Sequence, residues 1–228
     1  MEWFRQNLVV GKTDDISPAK TLELCENPEG KLKVLEFLNT ADISIDNIEV
    51  ESIYIDKLPD KFPLELKQKI LQQILRRELT NETRFSHKTL EGRHFSLSLE
   101  QESAGTVRLF ESTSIWLEIL EQGRMICIDE LESSLHPLIT RFLVSLFHHP
   151  EINQKQAQLI FTTHDTNILD NDILHRDQIW FVEKDSNQST RLYPLSDFSS
   201  RKNEALQKGY LQGRYGALPY ISSPKWLK

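Results

Sequence analysis

Two short apolar runs, MICID at 125–129 and QLIFTT at 158–163, each end in residues that packing alone would not select. Asp129 and Glu130 follow the first run, and His164 and Asp165 follow the second. Between them Pro137 opens a helical pattern in which Leu138, Ile139, Phe142, Leu143, Leu146 and Phe147 face one side. Continuous apolar strands belong to a sheet covered on both faces, and a helix between two of them predicts parallel pairing. QIWFVEK reads as a third such strand and TRLYPL as an added edge strand. The expected fold class is α/β, a three-layer unit with a substantially parallel sheet.

The chain before these runs is less regular. Ile43 with Ile45, and Ile48 with Val50, alternate as strand residues do, after a short helix-like opening at Val34, Leu35 and Leu38. FPLELKQKILQQILRREL carries an apolar stripe of Leu66, Ile70, Leu71, Ile74 and Leu75, with Pro63 suited to its first turn. RHFSLSLE sets Phe95, Leu97 and Leu99 on one strand face, and a second helix is expected from Val107 to Glu121. A further helix is expected around Arg201 to Tyr210, before a glycine-containing tail. No linker divides the 228 residues, so 1–228 reads as one domain with 43–94 as an inserted or peripheral subdomain.

The strand tips carry the chemistry. Parallel strands deliver their ends to one carboxyl edge, where open α/β sheets bind ligands. There Asp129 suits Mg²⁺, held directly or through water, and Glu130 suits orienting or deprotonating an attacking water. His164 suits a hydrogen bond to that water or to a γ-phosphate. The plainer alternative makes the acidic pair a turn cap and His164 a satisfied edge histidine. Upstream, ESAGTVR sets Ser103 and Gly105 at the start of a helix, 26 residues before Asp129. A hydroxyl, a glycine and helix N-terminal amides form a phosphate-binding surface.

In this order the motifs resemble the C-terminal lobe of an ABC-type ATPase head, the P-loop NTPase-like group shared by transporters, Rad50 and the SMC proteins. Within it the chain is most similar to the prokaryotic AAA15/AAA21-type ATPases of abortive-infection, anti-phage systems. ESAGTVRLF resembles the signature motif, with Ser103 and Gly105 facing phosphate. MICIDE resembles the Walker B strand, which makes Asp129 the Mg²⁺ residue and Glu130 the catalytic base. LESSLHP resembles the D-loop, with Ser134 and His136 near a dimer seam, and IFTTHD resembles the switch, with His164 as γ-phosphate sensor. Coverage runs from Leu97 to Ile221; DQIWFVEKD and YLQGRYGALPYI resemble the defence ATPases rather than a transporter. The resemblance implies ATP and Mg²⁺ as cofactors and a homodimer closed over ATP.

The same resemblance requires a P-loop, G-x-x-x-x-G-K followed by Ser or Thr. FRQNLVVGKTDD offers Gly11, Lys12 and Thr13, but Gln6 stands where the first glycine belongs. The expected Walker A segment is therefore missing, the head lobe is incomplete, and the chain alone is expected to hydrolyse ATP poorly. A fragment, a truncated frame or half of a split protein would each account for it.

Composition limits the remaining classes. Asp and Glu outnumber Lys and Arg by 34 to 27, so the net charge of −7 does not indicate nucleic acid. Two isolated cysteines suit a reducing compartment, and no run approaches the roughly eighteen apolar residues of a spanning helix, so a cytoplasmic protein without membrane contact is expected. The alternative function is a non-catalytic scaffold or regulatory partner of an effector nuclease or toxin. A third reading, a metal-dependent nuclease, would use Asp129, Glu130, His136 and His164. In the tail, Arg214 and Tyr215 are candidates for partner contact.

Overall fold

The computed structural model describes residues 2–12, 18–50, 83–89, 91–198 and 205–219. The expected amphipathic helix at 62–79 lies outside them. Two compact units divide the chain, residues 1–163 and 164–228.

In the first unit, helix α1 (Glu2–Asn7) leads into strand β1 (Leu8–Lys12). Helices α2 (Ala19–Cys25) and α3 (Pro28–Thr40) follow, and the Asn27 side chain caps α3 by accepting from the Gly30 amide. Strands β2 (Asn47–Val50), β3 (Thr83–Lys88) and β4 (His94–Ser98) form an antiparallel sheet with β3 in the middle. Ile43 and Ile45, expected in a strand, precede β2 as irregular chain. Asp42 there has φ 63°, and the Asn39 side chain takes the Ile45 carbonyl at 3.0 Å.

Helix α4 (Ala104–Gln122) begins three residues earlier than its apolar spacing predicts, because Ser103 caps it. It organises the unit. Phe110 meets Phe85 of β3 edge to face at 5.0 Å, and Trp116 meets Phe147 at 6.1 Å. The Thr21 hydroxyl of α2 donates to the Glu111 carbonyl and accepts from the Ser114 amide, both at 3.2 Å. Burial pushes the Cys25 thiol, on the same helix, up to about 11, so it stays protonated.

Strand β5 (Met125–Asp129), helix α5 (Pro137–His148) and strand β6 (Gln158–Phe161) complete the unit. All three strands β1, β5 and β6 run parallel in the order β1-β5-β6, so the fold is mixed α/β with a parallel sheet. The register gives its two faces opposite character. Ile126 and Ile128 are buried, whereas the row Val10–Cys127–Ile160 leaves Val10 72 % and Ile160 55 % exposed. A parallel sheet with one apolar face open departs from the usual double coverage.

The second unit holds strands β7 (Trp180–Lys184) and β8 (Thr190–Pro194) and helix α6 (Leu206–Leu211). β7 does not join the parallel sheet as its apolar run predicts; it pairs antiparallel with β8. Trp180, expected in the core, is 54 % exposed, while Phe181 beside it is buried. Phe181 stacks on Tyr210 at 5.5 Å and on Tyr215 at 5.7 Å. Tyr215 is only 1 % exposed, so it is a core residue rather than a partner contact. Gly216 has φ 72°, and a Cβ there would come within 2.6 Å of the Tyr193 hydroxyl. That hydroxyl donates to the Tyr215 carbonyl at 2.9 Å. Among the described residues no helix is long and apolar enough to cross a membrane.

Two outcomes follow for stability. Ile128→Ala should cost about 2–4 kcal/mol in urea unfolding, whereas Ile160→Ser should stay within roughly 0.5 kcal/mol. Burial, reinforced by Glu183, pushes the Tyr193 phenol up to about 12 from 10.0. A raised pKa in the folded state stabilises fully below pH 10 and is lost as pH climbs through 12. Unfolding of the second unit should show that alkaline loss, and Tyr193→Phe should remove the part of the slope that this group contributes.

Candidate functional site

The buried Ile126–Ile128 alternation of β5 ends at Asp129, and both Asp129 and Glu130 emerge exposed at the carboxyl edge. Glu130 has φ 54°, a left-handed conformation that few non-glycine residues adopt. Leu131, fully buried, anchors the chain immediately after the bend.

One residue fixes this corner. Thr162, just past β6, donates its amide to the Ile128 carbonyl at 3.0 Å and its hydroxyl to Asp129 Oδ1 at 2.6 Å. The same hydroxyl accepts the Glu130 amide at 2.9 Å, and the Thr162 carbonyl accepts the Leu131 amide at 3.1 Å. Four successive residues are thus held by one threonine, its hydroxyl used once as donor and once as acceptor. Sequence reasoning assigned Thr162 no role. Its hydroxyl at the end of a strand parallel to the acidic one is the only signal the sequence carries.

The Ser103 turn is built locally. Residues 99–101 form a short turn with a Ser98–Gln101 capping box, and Ser103 then accepts the Thr106 amide at 3.1 Å. Its hydroxyl also pairs with Thr106 Oγ1 at 2.9 Å. Amides in the first turn of α4 lack partners within the helix, which is the property that attracts anions. A Cβ on Gly105 would sit 3.1 Å from the Ser134 carbonyl, so the glycine lets this turn approach the 131–136 loop. Ser134 is itself left-handed, with φ 61°. His136 caps α5: its Nδ1 accepts the Leu138 amide at 3.2 Å, ahead of Pro137 in the first turn.

Within the first unit the structure therefore joins Asp129 and Glu130 through Thr162, and Gly105 with Ser134. His164, exposed, opens the second unit. Asp165 beside it caps the 166–168 turn, accepting from the Asn167 amide at 2.9 Å and from its side chain at 2.6 Å. Gln207 of α6 donates to Thr166 and Asn167 at 3.1 and 3.3 Å and ties that turn down. Gly11 and Lys12 lie inside β1, opposite Ile128 and Asp129, in extended ladder geometry rather than a loop. Among the described residues no three His, Cys, Asp or Glu side chains form a metal-holding group.

A parallel sheet with an acidic pair exposed at its carboxyl edge presents the place where open α/β folds bind ligands. Residues 26–170 match the family described as "AAA domain, putative AbiEii toxin, Type IV TA system", and the chain belongs to it. The family links the chain to toxin–antitoxin and abortive-infection systems. Every residue named for the site falls within the match, which starts well before Leu97 and leaves out the tail from residue 171. No curated protein matches the chain.

Ser103→Ala should remove the cap of α4 and lower stability by about 1 kcal/mol in urea unfolding. An unchanged midpoint would show that Ser103 contributes nothing to the helix start.

Proposed function

We propose that the chain is the catalytic lobe of an antiviral-defence ATPase whose heads close in pairs over ATP. The observation that carries this reading is the Thr162 staple, which sets Asp129 and Glu130 side by side at the tips of parallel strands. Asp129 would hold Mg²⁺ directly or through water. An exposed carboxylate positioned by the Thr162 hydroxyl fits an ion that keeps water and phosphate as its other ligands. When bound, Mg²⁺ would supply charge neutralisation for the phosphate oxygens.

The chain's own groups do the rest. Glu130, turned outward by its left-handed backbone, orients and deprotonates the attacking water. His164 hydrogen-bonds that water or the γ-phosphate. Ser103 and the amide of Gly105 reach the γ-phosphate of a second head, with Ser134 and His136 along the seam. On this reading residues 1–228 form one C-terminal lobe of an ABC-type, P-loop NTPase-like head, related to those of Rad50 and the SMC proteins, with 43–94 peripheral.

A phosphate cradle is still required. The amides of Gly11 and Lys12 belong to a strand rather than to an anion-binding loop. The exposed Val10 and Ile160 leave apolar side chains open on one face of the same sheet. This chain alone would turn over ATP poorly.

The family description speaks more directly for a second reading, a non-catalytic scaffold or regulatory partner of an effector nuclease or toxin. Glu130→Gln separates the two. In the assembled ATPase it should slow hydrolysis by about 10²–10⁴ with ATP binding intact. Phage protection should fall with it if hydrolysis is the function, and should persist in full if the chain is a scaffold. An unchanged hydrolysis rate would remove Glu130 as the base.

A further inference from the structure

Glu102, one residue before the Ser103 cap, keeps only 8 % of its side chain exposed. Its Oε1 lies 2.6 Å from Nε2 of His87, on the central strand β3. The other ring nitrogen, Nδ1, lies 2.8 Å from the Ser44 carbonyl, just before β2. A carbonyl only accepts, so Nδ1 carries a hydrogen. A neutral imidazole would then present a bare Nε2 to a carboxylate, two acceptors face to face. For the 2.6 Å contact to be a hydrogen bond, a proton has to lie between Nε2 and Oε1.

The ring is held in plane as well as at both nitrogens. Phe95, the cross-strand partner of His87 on β4, stacks on it at 5.1 Å with 17° between planes. Strands β3 and β4 and the irregular chain just before β2 thus converge on one imidazole. Glu102 in turn closes the 99–101 turn, its amide on the Leu99 carbonyl at 3.3 Å, and Leu99 is buried. By contrast His94, on β4, meets Asp46 only at 3.7 Å and in the open.

We propose that His87 is a positioning residue for the Ser103–Gly105 turn, locking it to the antiparallel sheet through Glu102. A mostly buried polar pair stabilises less than well-packed apolar residues would at the same place. What it supplies is direction: the carboxylate can sit in one place, and the next residue in the chain is the cap. The Ser103 hydroxyl and the first amides of α4 are ordered before any anion arrives, so binding does not have to order them. The significance for phosphate rests on the proposed reading of this turn; the clamp itself does not.

The test uses amide hydrogen exchange on the full chain without nucleotide. Glu102→Ala and His87→Phe should speed exchange at Thr106 and Val107 by roughly ten-fold, as loss of a charge-assisted hydrogen bond does. Amides in the middle of α4 should keep their protection. Glu102→Gln should restore slow exchange, because its amide donates to a neutral Nε2. The ¹⁵N signal of His87 Nε2 should meanwhile move to that of an unprotonated acceptor. Exchange unchanged in all variants, a Gln variant that behaves like Ala, faster exchange along the whole helix, or an Nε2 signal equal in wild type and Glu102→Gln would each overturn the clamp. No nucleotide enters this experiment, so its failure leaves the hydrolysis reading standing. An unchanged rate in Glu130→Gln removes that reading and leaves the clamp.

Discussion

The corner at the end of β5 depends on Thr162. An apolar strand that ends in two adjacent carboxylates has an electrostatic problem, because like charges side by side repel and neither is paid back by packing. Thr162 answers it with a hydroxyl that donates to Asp129 and accepts from the Glu130 amide, holding the backbone as it turns. The left-handed Glu130 is tolerable because its neighbours on both sides are tied, Ile128 and Leu131 each to the Thr162 backbone. Strain, hydrogen bonding and exposure meet at one pair of strand ends.

The rest of the first unit extends outward from that corner. Gly105 permits the start of α4 to lie against the Ser134 carbonyl, and Ser134 belongs to the loop that leaves the acidic pair. The turn before α4 is held in two directions, locally by its caps and across the chain by His87. Phe85 of β3 and Phe110 of α4 add an apolar contact between the same two elements. Polar groups fix orientation here, and the aromatic contact supplies burial.

Exposure is as informative as burial. The parallel sheet offers Val10 and Ile160 to solvent, and the β7–β8 hairpin offers Trp180, Val182 and Leu192. In the hairpin, Val182 and Leu192 are cross-strand partners, so the apolar residues share one face. The second unit secures its other face with Phe181 and the tyrosines around it, where Gly216 makes room for a hydroxyl.

What the sequence determined by itself is local. Apolar spacing marked β5, α5 and β6, Pro137 marked a helix start, and Ser103 marked another, because these signals act within a few residues. The acidic pair was legible for the same reason: carboxylates at the tip of an apolar run are visible without knowing any neighbour. Other features needed the tertiary structure. The apolar run of β7 suits a buried parallel strand as well as a hairpin, and only its pairing with β8 sent Trp180 outward. Tyr215 read as a surface residue among glycines until Phe181 stacked on it. Thr162 and Asp129 are 33 positions apart, and His87 and Glu102 are 15 apart. A hydrogen bond reaches about 3 Å, so which of a chain's many hydroxyls, rings and carboxylates come that close is settled by strand register, and register is a property of the folded sheet.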